Sequence, residues 1–131
     1  MLSEDMYQDN ILEHYKEPHN HGELRGHNVS YRDVNPLCGD IIEMQMIVED
    51  EKIKNVMFSG KGCAISRAAA SMLTDKVKGE STDEALKIEK NSVLDMLGVE
   101  ISAAREKCAF LPLKVMKMCL FIAKGRKTEL Q

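Results

Sequence analysis

Alternation of apolar and polar side chains on either side of a short polar turn is what most narrows the folds open to this chain. From Ile42, the residues Met44, Met46 and Val48 alternate with Glu43, Gln45 and Ile47, mostly the period of a half-buried strand. Glu49 to Lys52 is a polar turn, and Ile53, Val56 and Phe58 continue as a partner strand, so the segment predicts an antiparallel hairpin. Gly60-Lys61-Gly62 breaks the second strand, and Ala64 to Lys78 reads as a helix closed by Gly79. A further strand over Val29 to Val34 ends at the Asn35-Pro36 turn. Strands followed by helices predict an α+β domain with the helices packed on one face of the sheet.

Ser3 caps a first helix through about Tyr15, with Met6, Ile11 and Tyr15 sharing its apolar face and Pro18 stopping it. Ser81 with Glu84 forms a capping box for a short helix, and Asn91 to Leu97 predicts another. Ser102 caps the C-terminal helix, whose expected apolar face is Leu111, Val115, Met118 and Ile122. Pro112 cannot donate to the carbonyl of Cys108, so it predicts either a kink beside Cys108 or the opening of the straight part of the helix.

The chain, residues 1–131, fits one domain large enough to bury a core without disulfides. A formal net charge of -3 argues against nucleic acid as a main partner. The acidic start Met1-Leu2-Ser3-Glu4-Asp5 has neither a signal core nor an Arg-rich presequence. No run of apolar residues is long enough to span a membrane, which leads to the expectation of a cytoplasmic protein. Lys114, Lys117, Lys124, Arg126 and Lys127 form a local basic cluster, read as a solvated helix face or as a dock for an acidic partner.

In a reducing cytosol the four cysteines are metal ligands, reactive thiols or core residues rather than disulfides. Cys38-Gly39-Asp40 sets a thiol and a carboxylate two positions apart. Gly62-Cys63-Ala64-Ile65-Ser66 puts a second thiol at a helix start, where the dipole depresses a thiol pKa, and Arg105-Glu106-Lys107-Cys108 holds a third among charges. Three thiolates and one carboxylate suit zinc or iron, and the harder oxygen exchanges more easily. Arg105 precedes Cys108 by one helical turn, where it could pair with Asp40 once that carboxylate leaves a metal. Cys119 lies about 16 Å along the helix from Cys108. Two sulfurs on one zinc stand no more than about 4.6 Å apart, so Cys119 reads as a core residue. His19, His21 and His27 invite a metal reading, but such a string more often reflects loop polarity.

The motifs Pro18-His19-Asn20-His21-Gly22, Asn35-Pro36-Leu37-Cys38-Gly39-Asp40, Gly60-Lys61-Gly62-Cys63-Ala64-Ile65-Ser66 and Lys107-Cys108 stand in the order and at about the spacing of IscU/NifU-type iron-sulfur cluster scaffold proteins. The resemblance runs from about Met6 to Ala123. It implies an α+β fold with a three-stranded antiparallel sheet, with Cys38, Cys63 and Cys108 as cluster-ligand and sulfur-acceptor thiols and Asp40 as the carboxylate of the site. It further implies a cysteine desulfurase as sulfur donor, iron bound at the same thiols, and apo iron-sulfur proteins as recipients. Where members served by a dedicated Hsp70-type chaperone carry Leu-Pro-Pro-Val-Lys and then His, this chain has Ile101 to Lys107, so neither that chaperone nor a His ligand is implied. Arg105-Glu106-Lys107-Cys108-Ala109 is similar to the zinc-binding SufU branch, whereas the spacing from Cys63 to Cys108 lacks that branch's insertion.

The leading expectation is therefore a scaffold that assembles a [2Fe-2S] cluster from Fe2+ and desulfurase-derived sulfur, as a homodimer when loaded, and passes it on. In this expectation the most accessible thiolate accepts the sulfur; Cys108, activated by Lys107, is the leading acceptor and Cys63 the alternative. The alternative is a zinc-dependent sulfurtransferase using Zn2+ at the same residues, and a third reading is a domain whose zinc is purely structural.

Overall fold

A computed structural model describes residues 3–129, with side chains to residue 126. The order is α1 (Glu4–Lys16), β1 (Val29–Asn35), β2 (Asp40–Glu49), β3 (Lys52–Lys61), α2 (Ala64–Val77), α3 (Thr82–Leu86), α4 (Lys90–Leu97) and α5 (Ala103–Glu129). The strands form one antiparallel sheet in sequence order, with Val29 opposite Met46 and Asn35 opposite Asp40, then Ile42 opposite Gly60 and Met46 opposite Val56. This is the expected α+β fold with a three-stranded antiparallel sheet.

The alternation read in the sequence is the alternation of burial. Asp40, Ile42, Met44 and Met46 face the core from β2, while Ile41, Glu43, Gln45 and Ile47 are half-buried on the other face. Ile53, Val56 and Phe58 do the same from β3. A register shift between Ile47 and Val48 ends the strict alternation where the sequence pattern weakens. The free edge of β3 is partly covered: the Phe58 amide donates to the Asn20 carbonyl at 2.8 Å, and the Gly22 amide donates to the Phe58 carbonyl at 2.9 Å. His21 thereby sits edge-on to the Phe58 ring.

Ser3 caps α1 by accepting from the Met6 amide, and Ser81 caps α3 by accepting from the Glu84 amide. Of the three residues expected on the apolar face of α1, Ile11 is buried, Tyr15 is half-buried and Met6 is exposed. The buried face of α5 is also rotated from expectation. Val115, Met116, Cys119 and Leu120 have no exposed surface, and Met118 and Ile122 are only half-buried. The sequence pattern misjudges this face because α5 is apolar around most of its middle, and only contact with β1, β2 and α2 selects the stripe. Helix α5 continues through Pro112 without ending, which leaves the Cys108 carbonyl without its usual helical donor.

The basic cluster on α5 is engaged internally. Lys114 pairs with Asp33 at 2.7 Å and Lys117 with Glu89 at 3.5 Å; Lys124 pairs with Asp83, and Arg126 donates to the Asn28 carbonyl. The Lys127 side chain lies outside the described residues. No helix of the described residues is long and apolar enough to cross a membrane.

Candidate metal centre

Four elements deliver the expected site residues to one place. The four residues Pro36 to Gly39 close the β1–β2 turn between the paired Asn35 and Asp40, which puts Cys38 at its tip and Asp40 at the first position of β2. Cys63 is the N-cap residue of α2, with extended backbone and no side-chain capping bond, so its sulfur stands at the positive end of the helix. Cys108 comes from the second turn of α5, 70 residues from Cys38 in the chain, and its sulfur lies 3.4 Å from that of Cys38.

Asp40 is the hub. Its Oδ1 accepts from the Cys63 amide at 3.2 Å, and its Oδ2 accepts from the Cys63 thiol at 3.6 Å. Cys38, Asp40 and Cys108 each present a ligand atom within 4.8 Å of the other two, and Cys63 joins this set through Asp40. Burial opposes ionisation of Asp40, but hydrogen bonds from the Cys38 and Cys108 thiols and from the Cys63 amide and thiol outweigh it. The carboxyl is held below its ordinary value. For Cys108 the balance is reversed. Burial first, then the Cys38 and Asp40 contacts and the nearby Cys63, push its thiol far above the ordinary range.

A carboxylate ringed by thiol protons is prepared for a cation. A soft divalent ion that displaces those protons gains thiolate ligands and keeps Asp40 as a hard one. The separation of the Cys38 and Cys108 sulfurs is close to the edge of a tetrahedral zinc-thiolate site, about 3.8 Å. The donor set thus fits zinc or iron.

Two glycines make this convergence sterically feasible. A Cβ at Gly60, whose φ is +132°, would lie 1.9 Å from the Ile41 carbonyl oxygen, so only glycine lets β3 approach β2 this closely beside Asp40. A Cβ at Gly62 would meet Ser66 Oγ at 2.2 Å and stand 3.5 Å from the Asp40 carboxyl carbon.

The sequence expectation joins accessibility to Cys108, and the structure separates them. Cys108 is 5% exposed, whereas Cys38 is the exposed thiol of the site. Arg105 is exposed and makes no ion pair among the described residues, and Lys107 is exposed beside it. Cys119 is fully buried, donates to the Met44 carbonyl at 3.5 Å, and lies outside the thiol group, as its spacing requires.

Two supporting residues are not singled out by the sequence reasoning. Asn35 is buried, its amide nitrogen 4.0 Å from the Cys108 sulfur, and its Oδ1 accepts from the Leu37 amide at 3.1 Å, so it shapes the turn that carries Cys38. Ser66 is buried one turn after Cys63 and donates to the Cys63 carbonyl at 3.2 Å. The available signals were an Asn opening a Pro turn and a Ser three residues after an N-cap position.

Residues 6–129 match the family described as NifU-like N terminal domain. An iron-sulfur cluster assembly scaffold protein IscU of Streptococcus pyogenes is 42% identical over 62% of this chain, and the chain spans 50% of that protein's length. The zinc-dependent sulfurtransferase SufU of Bacillus subtilis is 33% identical over 86% of this chain and 87% of its own length. Among solved structures, a putative iron-sulfur cluster assembly scaffold protein for the SUF system from Fervidobacterium islandicum superposes with a TM-score of 0.76. It covers 91% of this chain and 99% of its own at 24% identity, a likeness of fold.

Proposed function

The chain belongs to the family of NifU-like N terminal domains, and from that premise we propose that it is an iron-sulfur cluster assembly scaffold. The observation that carries this reading is the convergence of Cys38, Cys63 and Cys108 on one ionised carboxylate, Asp40. In the finer reading, the cargo is a [2Fe-2S] cluster built from Fe2+ and sulfur delivered by a cysteine desulfurase. Apo iron-sulfur proteins receive it, and the loaded scaffold is a homodimer. The reducing cytoplasm that keeps such thiols free is part of the same reading.

Cys108 as sulfur acceptor is reconciled with its burial by a two-thiol route. The exposed Cys38 thiolate attacks the outer sulfur of the desulfurase persulfide, whose inner sulfur departs as thiolate. Cys108 then attacks the outer sulfur now on Cys38. The Cys38 sulfur leaves, taking the Cys108 proton across the 3.4 Å between them. Reduction of that sulfur to sulfide draws two electrons from an external donor. Lys107 and Arg105, exposed at the start of α5, favour the anionic intermediates of this route, and Arg105 takes Asp40 as partner when the carboxylate releases iron. Leu37, 76% exposed at the same tip as Cys38, and the neighbouring Val34 offer the desulfurase an apolar contact.

A second, SufU-like reading rests on the Arg105-Glu106-Lys107-Cys108-Ala109 segment and on a likeness to SufU about as extensive as that to a full-length IscU scaffold. In it, Zn2+ held by Cys38, Asp40, Cys63 and Cys108 would keep thiolates deprotonated at neutral pH. Anaerobic purification followed by desulfurase, cysteine and ferrous iron separates the two. A transferable iron-sulfide chromophore supports the scaffold, and persulfide turnover that depends on bound zinc supports the transferase. Metal that stays in place over unreactive cysteines overturns both.

A further inference from the structure

We propose that His14, His19 and Asp75 form a second metal site, for a borderline divalent cation of the zinc class, separate from the thiol centre. His14 comes from the last turn of α1, His19 from the loop after it and Asp75 from the last turn of α2. The three offer ligand atoms within 4.8 Å of one another, and the two imidazole rings lie 4.5 Å apart.

The donors are oriented by neighbours. His19 Nδ1 meets Asp75 Oδ2 at 2.5 Å, and the other carboxylate oxygen accepts from the Asn20 side chain at 2.8 Å. Ser71 Oγ accepts from the His19 amide at 2.8 Å and pairs with His14 Nδ1 at 2.7 Å. One buried hydroxyl therefore holds the His14 ring, the kind of outer support that metal-ligating imidazoles use, and anchors the backbone of His19.

Ligand atoms on a tetrahedral zinc with nitrogen and oxygen donors stand about 3.3 Å apart. The pair at 2.5 Å must part slightly, and the others, already within 4.8 Å, need close by no more than about 1.5 Å, movements that the exposed His19 and Asp75 side chains can make. Two imidazoles and one carboxylate are a nitrogen-oxygen set, suited to zinc, nickel or copper, and three protein ligands leave a position for water. The thiol centre instead offers sulfur. Asp75 follows Cys63 by twelve positions, about 18 Å along α2, so the two sites do not share an ion. A cation here ties the end of α1 and its loop to the end of α2.

Zinc titration of the full chain, unsubstituted and as the Cys38→Ser/Cys63→Ser/Cys108→Ser variant, tests this independently of any cluster chemistry. The unsubstituted chain is expected to bind two equivalents and the triple variant one. In the triple variant, zinc should shift the ring resonances of His14 and His19 and leave those of His21 and His27 unmoved. Adding His19→Gln or Asp75→Asn should weaken that equivalent by more than about 100-fold, beyond the 10- to 100-fold typical of losing an orienting partner. Both side chains are exposed, so the metal-free melting profile should persist. No zinc uptake by the triple variant, shifts at His21 or His27 in place of His14 and His19, or affinity indifferent to His19→Gln would overturn the proposal.

Discussion

Cys108 and Cys119 sit on the same helix, both buried and both with thiols raised by burial, yet they do opposite things in the structure. Cys119 packs beneath β2 and donates a hydrogen bond to the Met44 carbonyl, and its thiol is pushed up to about 12 by burial. Cys108 faces another sulfur at 3.4 Å and contributes to holding Asp40 ionised. Burial alone makes a thiol inert. Burial beside a second thiol and a carboxylate stores protons that a cation can replace. What separates a core cysteine from a candidate ligand is therefore its company rather than its exposure.

The sharpest way to break this contrast is to exchange each sulfur for oxygen. Cys108→Ser is expected to lower zinc or iron affinity at the thiol centre by more than about 100-fold, and Cys119→Ser to leave it within a few-fold. If anaerobic metal titration shows the reverse, the assignment of the site fails. At the inert end, Leu120→Ala should cost about 2–5 kcal/mol in denaturant unfolding, because it empties a fully buried position. Folded Leu120→Ala protein should still take up metal at the thiols, and a parallel loss of affinity would show the two halves of α5 to be one unit.

A smaller effect probes the support of the site. Gly62→Ala forces a Cβ against Ser66 Oγ and should weaken metal binding about tenfold, at a stability cost of about 1 kcal/mol. Ser66→Ala in the same chain removes the clashing atom and should recover most of both losses, a coupling that a double-mutant cycle measures. Independent, additive effects would mean that Gly62 matters for another reason.

The smallest effects are those of pH on the metal-free protein. Raised thiol pKa values at Cys108 and Cys119 stabilise the fold below the unfolded thiol value of about 8.5. That contribution is lost as pH climbs towards the folded values, about 12 for Cys119. Asp40 and Asp33 have the opposite sign. Asp33 is depressed mainly by its hydrogen bond from Lys114. The contribution of both carboxylates is present above about pH 4 and lost as pH falls below it. Melting across pH should show both limbs, with Cys119→Ala flattening part of the alkaline one and Asp40→Asn part of the acid one.

The sheet was readable because strand burial follows the period of the side chains, which Ile42, Met44 and Met46 carry in the chain itself. The caps at Ser3 and Ser81 were readable for a similar reason, since a cap and its amide lie three residues apart. The face of α5 was not, because a helix apolar on several sides takes its buried stripe from whatever packs against it. Type and context marked Cys38, Asp40, Cys63 and Cys108 as candidate ligands, but neither their proximity nor the inaccessibility of Cys108 was legible. Nor was the pairing of His19 with His14 and Asp75, because the loop that shows three histidines in sequence sends His21 to Phe58 and His19 to α2.

By itself the sequence settled which segments are strands and helices, where the chain must turn, and which side chains can carry thiol and carboxylate chemistry. These depend on residues within about one helical turn or one strand repeat of each other. The tertiary structure alone decided which sulfurs meet, which one solvent reaches, and which histidines share a carboxylate. Those relations join residues tens of positions apart, and they exist only once the sheet and helices have packed and excluded water between them.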